Sequence, residues 1–325
     1  MRGLDVLTMR SPMVSVTVVT FNHESFIGPC LESIVSQETD FDFEIIVGED
    51  ASTDETRTVV AEYARAYPNI VRPIFQSYNR GVNYNLATVM SAARGRYVAH
   101  IDGDDLALPG KLQRQVALLE ERPDVAVCFH NMRVFESDTR AALGVFTPAT
   151  APRLRSLDDV VRYGTVYANS SKMFRYDPQH GIAIDPYTRH VMDWLLHIQS
   201  AATGAVEYID EVLGEYRKHA GATTIADRDR TRAMVHFDEM LYTAHRAAQL
   251  GASPDAVAFA ESRLNYVMAM RQLGWGEAHA FQRLIEASVA GGKRVNRRHQ
   301  EFAYRYRNWP MLVRWLTRVW EGVGR

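Results

Sequence analysis

The sequence predicts an α/β protein built on a mainly parallel sheet, and three observations lead to this fold class. Between residues 13 and 135, β-branched apolar runs alternate with segments whose apolar residues recur at helical spacing, as is typical of βαβ units. Acidic or polar clusters follow the ends of three of these runs. From about Asp227 onward only helical spacing remains, which predicts a helical C-terminal extension.

The first elements show this alternation clearly. The run 14–19 supplies the β-branched residues of a buried strand, and the apolar spacing over 25–37 predicts a helix. A second strand at 43–47 leads into an acidic turn, where Ser52 and Glu55 have the spacing of a capping box. We therefore expect a second helix to open at this turn.

The next elements continue the pattern with a strand at 70–75, a helix that ends at Gly95 and a strand at 97–102. In open parallel sheets, ligands bind beyond the carboxyl ends of the strands. The polar groups at Thr20, at 49–50 and after the strand 97–102 all occupy such positions. We expect them to converge on one rim of the sheet.

The acidic cluster 102–105 places three carboxylates around Gly103. Like charges this close repel, so the cluster favours a divalent cation, and oxygen ligands favour Mg²⁺ or Mn²⁺ held together with substrate phosphates. The third acid, Asp105, is interpreted as a cap for a helix that begins near Pro109. A calcium loop is disfavoured because the ligand spacing and distant glutamate of an EF-hand are missing, and a solvated turn is disfavoured by three acids at one strand end. The aspartate nucleophile of a haloacid-dehalogenase-type phosphatase stays open as an alternative.

The composition limits the class of protein. The 325 residues are 46% hydrophobic and 23% charged, enough for one large core or two modest ones. A net charge of −2 gives no global attraction for nucleic acid. Two cysteines, with neither a signal peptide nor a membrane-spanning run, predict a cytoplasmic protein. The glycine-rich phosphate loops of dinucleotide enzymes and P-loop proteins are missing from the sequence.

Three segments, 18–22, 45–56 and 93–105, together resemble the family 2 glycosyltransferases of GT-A fold. The resemblance covers most of residues 14–220. It implies a Rossmann-like, mixed but mainly parallel sheet flanked by helices, and an activity that transfers sugar from a nucleotide-diphosphate donor. The match is carried by strand ends and turns, where this family holds its donor.

The resemblance assigns roles to residues of the N-terminal half. Asp50 would bind the nucleotide base, although Ala51 stands where the family has Gly. Asp104 would be the principal ligand of Mn²⁺ or Mg²⁺, with Asp102 as a second ligand. The nucleotide-binding residues would be Thr20, Asn22, Glu24, Glu49, Asp50, Arg80 and Asp102.

The acceptor half carries the implied general base, Asp193. Such a carboxylate takes the proton of the acceptor hydroxyl as that oxygen attacks the anomeric carbon, and one base without a covalent nucleophile predicts inversion. Met192 stands where the family usually has Glu, and an aspartate decorating an amphipathic helix is the alternative. Ser170, Ser171 and Trp194 would contact the donor or acceptor sugar.

The segment 216–219 resembles the family's Tyr-Arg-x-His motif. Arg217 or Lys218 would stabilise the leaving diphosphate, and His219 would complete the metal shell. A structural imidazole is the alternative for His219. We also hypothesise that a loop at 216–224 closes over the donor.

The C-terminal segment is basic and carries tryptophans, with a helix that starts at Pro310. Such a helix either packs on its own domain or binds a membrane surface. We expect a leader at 1–12, a catalytic domain at 13–225 whose halves are 13–135 and 136–225, and a helical region at 226–325.

The sequence therefore predicts a metal-dependent, inverting glycosyltransferase that uses a UDP-sugar and a glycan or lipid-linked acceptor in polysaccharide or glycan biosynthesis. An aspartate-nucleophile phosphatase and a non-catalytic nucleotide-sugar binder are the rival hypotheses. We expect a cytoplasmic protein, with peripheral contact at the inner membrane face and a homo-oligomer as open alternatives, and no nucleic-acid partner.

Overall fold

The computed structural model describes residues 11–177, 185, 187, 188, 192–219, 229–293, 295 and 297–323. The chain separates into two compact units. The first unit comprises Met1–Arg155, Thr165–Arg189 and Gln199–Ala222, and the second comprises Ser156–Gly164, His190–Ile198 and Thr223–Arg325. Two segments inside the expected catalytic domain therefore group with the C-terminal helices.

A sheet dominates the described part of the first unit. Its nine strands are β1 (Val14–Thr20), β2 (Phe43–Glu49), β3 (Val71–Phe75), β4 (Tyr97–Asp102), β5 (Leu106–Ala107), β6 (Val125–Glu136), β7 (Ala142–Val145), β8 (Met173–Arg175) and β9 (Ala205–Lys218). The order is β3-β2-β1-β4-β8-β6-β9-β5, and β7 pairs with β6. Strands β1 to β4 are mutually parallel where they pair, whereas β8 runs antiparallel to both β4 and β6. The predicted α/β fold with a mixed, mainly parallel sheet is confirmed.

Helices connect the strands as the apolar spacing predicted. They are α1 (Ile27–Val35), α2 (Thr56–Ala66), α3 (Val82–Ser91) and α4 (Lys111–Glu121), and a single 3-10 turn covers Asn169–Ser171. The core of this unit joins fully buried residues of β1, β2 and β4 to the inner face of α1, including Val16, Ile45, Ala99 and Leu31. This core fixes the strand ends that carry the polar clusters.

The predicted capping box at the start of α2 was wrong. The cap position of α2 is Glu55, whose side chain makes no capping bond. The Ser52 hydroxyl instead accepts a hydrogen bond from the Asn22 N–H at 3.0 Å. The local pattern assigned the Ser52 hydroxyl to the helix cap. This hydroxyl instead joins the turn after β2 to the turn after β1.

In the described part of the second unit, the regular secondary structure is α-helix. This unit contains α5 (Leu157–Tyr163), α7 (Arg230–Gln249), α8 (Pro254–Trp275), α9 (Ala278–Ala290), α10 (Arg297–Arg305) and α11 (Pro310–Val323), while α6 (Met192–Ala201) begins in this unit and ends in the first. Leu273, Phe281, Ile285, Ala303 and Val313 form one of its apolar clusters. Among the helices described, none has the length and apolar character needed to cross a bilayer.

Candidate functional site

Asp50 lies at the end of β2 and holds the loop that follows β3. Its two carboxylate oxygens accept hydrogen bonds from the backbone N–H groups of Arg80 (2.9 Å) and Gly81 (2.8 Å). The Asp50 N–H donates to the carbonyl of Thr20 at 3.1 Å. The implied base-binding residue is therefore buried and already braced between β1 and the loop.

Glu49, the residue before it, has partners within the protein for both oxygens. One oxygen accepts from the Ser52 N–H at 2.5 Å, and the other contacts Arg57 Nε at 2.5 Å. The Glu49 side chain is fully buried. These contacts indicate that Glu49 stabilises the backbone of the acidic turn and does not face solvent.

The turns after β1 and β2 are bonded to one another. Asn22, which has a φ of +53°, accepts a hydrogen bond from the Thr53 N–H at 2.9 Å. One carboxylate oxygen of Glu24 accepts from the Glu55 N–H at 3.1 Å. Because Asn tolerates the left-handed region better than most residues, Asn22 suits this turn. Asn22 and Glu24 are exposed, so the joined turns present polar groups to solvent.

Thr20 and Gly103 approach each other closely where β1 and β4 end. A Cβ added at Gly103 would lie 2.9 Å from the Val19 carbonyl oxygen and 3.0 Å from the Thr20 Cβ. The buried Thr20 Oγ1 has no hydrogen-bond partner among the described residues. Buried hydroxyls are normally paired, so this oxygen is a candidate contact for a bound ligand.

Arg80 stands at the outer side of the same rim. Its guanidinium lies 3.2 Å from the ring centroid of Tyr84 and 5.4 Å from that of Tyr78. Both rings are exposed. The two tyrosine rings hold the Arg80 side chain by cation–π contact, while Asp50 holds the Arg80 backbone.

Asp102 is held by two neighbours on the sheet. One of its oxygens lies 3.1 Å from His100 Nε2, and the other lies 3.2 Å from the Ser170 hydroxyl oxygen, which accepts a hydrogen bond from the Asp102 N–H at 3.0 Å. Burial would raise the pKa of Asp102, but the contact with His100, the charge of Lys172 and the Ser170 hydroxyl together lower the pKa below its ordinary value. About a third of the side chain (34%) is exposed, so one side faces solvent.

Asp105 links the acidic cluster to β9. Its buried carboxylate accepts hydrogen bonds from the Ser170 hydroxyl at 2.6 Å and from the Arg217 N–H at 3.0 Å. Burial, together with the charges of Asp104 and Asp102, raises the pKa of Asp105 well above its ordinary value. The prediction that Asp105 caps the next helix was wrong, because Gly110 occupies that cap position.

Asp104 meets the end of β9 through His219. The distance from Asp104 Oδ2 to His219 Nε2 is 2.9 Å, and Arg217 Nε donates to the Asp104 carbonyl at 2.7 Å. The Arg217 guanidinium packs on the rings of Phe26 and Phe135. Burial lowers the pKa of Arg217. Thus Asp104, predicted from the acidic cluster, lies together with Arg217 and His219, predicted from the segment 216–219.

The chemistry of Asp104 and His219 fits a divalent metal held partly by its substrate. Among the described residues, no three His, Cys, Asp or Glu side chains form a metal-binding cluster. Mn²⁺ and Mg²⁺ commonly take few protein ligands and complete their shells with phosphate oxygens and water. One carboxylate and one imidazole suit that arrangement, whereas the oxygens of Asp102 already contact His100 and Ser170.

His23 is a member of this site that the sequence did not single out. Its ring centroid lies 6.2 Å from that of His219, and its Nδ1 is buried without a partner among the described residues. Burial lowers the pKa of His23, while the Asp104 charge opposes that effect. Its position directly after Asn22 in a strand-end turn was the available signal.

The residues expected to contact sugar have internal partners. The Ser170 hydroxyl bridges the acidic cluster, and the buried Ser171 hydroxyl donates to the Ala168 carbonyl at 2.7 Å. Trp194 is buried in the second unit, where its Nε1 donates to the Val160 carbonyl at 2.8 Å. These contacts indicate positioning and packing roles.

Two further predictions concern the acceptor side. Asp193 lies exposed in the first turn of α6, within the second unit, and its role as a base stays a prediction. Lys218 is exposed at the end of β9. The hypothesised closing loop 216–224 falls largely outside the described residues, which end at 219 there.

Known proteins resemble this chain both in sequence and in structure. The model of the family described as Glycosyl transferase family 2 matches residues 15–183. The Mycobacterium tuberculosis protein Rv1520, named as an uncharacterized protein, is 37% identical over 210 residues, which is 64% of this chain and 59% of that protein. The match therefore spans less than two thirds of the relative.

Solved structures share the fold at low sequence identity. TarS 1–349 of S. aureus, in complex with UDP-GlcNAc, aligns with a TM-score of 0.57 at 19% identity, covering 85% of this chain and 81% of that chain. The mannosyltransferase PcManGT from Pyrobaculum calidifontis, in complex with GDP-Man and Mn²⁺, aligns with a TM-score of 0.55 at 17% identity, covering 96% and 88%.

Proposed function

Because this chain belongs to glycosyl transferase family 2, we propose that it is a glycosyltransferase that catalyses a metal-dependent, inverting transfer of sugar from a UDP-sugar to an acceptor hydroxyl. The observation that carries the proposal is the contact between Asp104 and His219 beside the strand-end turns. This contact would supply an oxygen and a nitrogen ligand at the rim where parallel sheets bind nucleotides. The product would belong to a polysaccharide or glycan.

The nucleotide half of the donor would lie against the two bonded turns that follow β1 and β2. Thr20 offers an unpaired buried hydroxyl, and Asn22 presents an exposed amide. Asp50 keeps a lone pair on each oxygen after accepting the loop N–H groups. These groups would recognise base and ribose, with Arg80 at the open edge.

The diphosphate half would lie near the acidic cluster. When bound, Mn²⁺ or Mg²⁺ supplies positive charge that offsets the charge developing on the departing diphosphate. Asp104 and His219 would be its protein ligands, and the exposed Lys218 would add a cation beside them. Arg217 would act mainly by fixing the backbone of Asp104.

The chemical step would need one base. Asp193 would accept the proton of the acceptor hydroxyl, whose oxygen forms a bond to the anomeric carbon while the bond to the diphosphate oxygen breaks. Both electrons of the broken bond leave with the nucleoside diphosphate. Attack from the face opposite the leaving group inverts the anomeric centre.

Two solved structures of similar fold contain different nucleotide-sugars. TarS was solved with UDP-GlcNAc and PcManGT with GDP-Man, so one fold accepts both bases. A carboxylate at Asp50 flanked by the small Ala51 suits the small uracil ring as well as a larger purine. UDP is the nucleotide that the sequence predicts, and the donor panel tests UDP against the other nucleotides.

A donor panel with Mn²⁺ tests this function. Calorimetric titration of the full chain with UDP-, GDP- and dTDP-sugars would measure binding, and chromatography of released nucleotide would measure slow turnover. We expect one nucleotide class to bind with Mn²⁺ and to be released over time. Binding without any release, even with candidate acceptors, would favour a non-catalytic binder, and absence of all binding would contradict the proposal.

Location and acceptor follow from the same proposal. We place the protein in the cytoplasm, where nucleotide-sugars are made, with a glycan or lipid-linked acceptor. Fractionation of the expressing cells would test this, since a protein recovered only outside the cytoplasm and its membrane face would contradict it. A homo-oligomer remains an expectation that light scattering measures directly.

A further inference from the structure

The start of α11 exposes a set of large apolar side chains. The exposed fractions are 68% for Trp309, 75% for Met311, 37% for Leu312 and 62% for Trp315. Single exposed apolar residues are ordinary, but a contiguous group that includes two tryptophans marks an interaction surface. We call these four residues the tryptophan face.

Helical spacing places most of this face on one side of α11. Positions 311, 312 and 315 are neighbours on a helix surface. Val313 lies on another side and is fully buried in the cluster that contains Phe281 and Ile285. Packing within the second unit therefore covers Val313 and leaves the tryptophan face exposed. Burial against this unit does not explain why the exposed side of α11 is apolar.

The segment of sequence that contains this face is strongly basic. Residues 291–325 contain nine Lys and Arg residues but only two acids, Glu301 and Glu321, whereas the whole chain has a net charge of −2. Of these cations, Arg307 is paired with Glu286 at 2.7 Å and Lys293 with Asp255. The basic residues are Lys293, Arg294, Arg297, Arg298, Arg305, Arg307, Arg314, Arg318 and Arg325.

We propose that the tryptophan face is a membrane-binding surface that enters the headgroup region of an anionic bilayer. Tryptophan prefers the boundary between water and hydrocarbon, and apolar helix faces bind there when basic residues attract anionic lipid. A second copy of the chain fits less well. In a two-fold dimer the same surface meets itself, and the two basic segments would repel.

The tryptophan face shares no residue with the proposed donor site, and its lipid binding can be tested separately. It would bring the enzyme to acceptors carried on lipid, but lipid binding is measured without donor or acceptor. A failure of the sugar-transfer proposal therefore leaves this inference standing, and the reverse also holds.

Flotation of the full chain with vesicles tests the proposal. Vesicles of phosphatidylcholine alone would be compared with equal parts of phosphatidylcholine and phosphatidylglycerol, at low and high salt. We expect at least about tenfold stronger binding to the anionic vesicles, weakened by salt because charge is screened. Brominated lipid should quench tryptophan fluorescence in the bound state.

The variant Trp309→Ser/Trp315→Ser should lose binding about tenfold or more while its melting temperature and nucleotide binding stay unchanged. The matched control is Val267→Ser, because Val267 is a similarly exposed apolar residue on α8 of the same unit. Equal binding by wild type and the double variant would overturn the proposal. So would absence of vesicle binding, or a wild-type dimer that becomes monomeric in the double variant.

Discussion

The carboxylate of Asp104 and the imidazole of His219 meet at 2.9 Å although they lie 115 residues apart in the chain. Asp104 follows β4 in the parallel half of the sheet, and His219 follows β9, which pairs with β6 in the other half. Their contact joins the two halves of the first unit at one point. The ligand chemistry of the proposed donor site therefore depends on a pairing between distant strands.

Replacing His219 by Gln should weaken the metal requirement specifically. If His219 is a ligand, the Mn²⁺ concentration for half-maximal nucleotide binding should rise about tenfold or more, and excess Mn²⁺ should restore binding. Calorimetry at several Mn²⁺ concentrations measures this. The control His245→Gln changes an exposed histidine on α7 and should behave as wild type. An unchanged Mn²⁺ dependence in His219→Gln would assign His219 a structural role.

Gly103→Ala should damage the rim without touching any charged group. The added Cβ would meet the Val19 carbonyl oxygen at 2.9 Å, so the backbone must shift, and such overpacking typically costs about 1–3 kcal/mol. Urea unfolding would measure the free energy, and calorimetry would show weaker nucleotide binding. Gly274→Ala is the control, since its Cβ meets nothing within 4 Å inside α8 and should stabilise the helix slightly. Equal stability of Gly103→Ala and wild type would contradict the close approach.

Lys111 should make stability depend on pH. Its ammonium is buried against Gln115 and His130, each at 2.9 Å, and burial lowers the pKa of Lys111 to about 7. An unfolded lysine titrates near pH 10.4. Between these values the unfolded chain retains a proton that the folded protein has released, so the free energy of unfolding rises with pH.

The variant Lys111→Met isolates this effect. From pH 7 to pH 9, the free energy of unfolding should rise by about 2 kcal/mol more in wild type than in the variant. Urea unfolding at several pH values measures the difference. Parallel pH profiles for the two proteins would show that Lys111 keeps an ordinary pKa.

Asp193→Asn should separate chemistry from binding. Loss of a general base typically lowers the rate by about 10² to 10⁴-fold, whereas donor binding at the first unit should stay unchanged. Turnover of the donor identified by the panel, together with calorimetry, gives both quantities. Asp159→Asn, an acidic residue in the first turn of α5, serves as control. Wild-type turnover in Asp193→Asn would remove Asp193 from the mechanism.

Much of the fold was readable from local sequence patterns. The β-branched runs and helical spacing before residue 105 predicted β1 to β4 and their helices, because β1, β2 and β4 are buried along nearly their whole length and each helix buries one face. The strand ends then predicted the rim. The antiparallel insertion of β8 between β4 and β6 was not predictable in this way, since strand order depends on long-range pairing.

The site was predictable in residue type but not in contacts. Asp50 and Asp104 were singled out by their position after strands and by the family resemblance, and His219 by the resemblance. All three lie at strand ends. The bonds of Asp105 to Ser170 and Arg217 arise only when three distant segments meet. The same holds for His23, which becomes part of the site only because β9 ends beside it.

One titration tests the central claim most directly. Wild type, Asp104→Asn and the control Asp124→Asn, an exposed aspartate paired with Arg122, would be titrated with UDP in the presence of Mn²⁺ and again with a chelator. We predict binding by wild type and control that depends on Mn²⁺, and at least about tenfold weaker binding by Asp104→Asn. Binding of UDP by wild type and Asp104→Asn that is equal with and without Mn²⁺ would contradict the account.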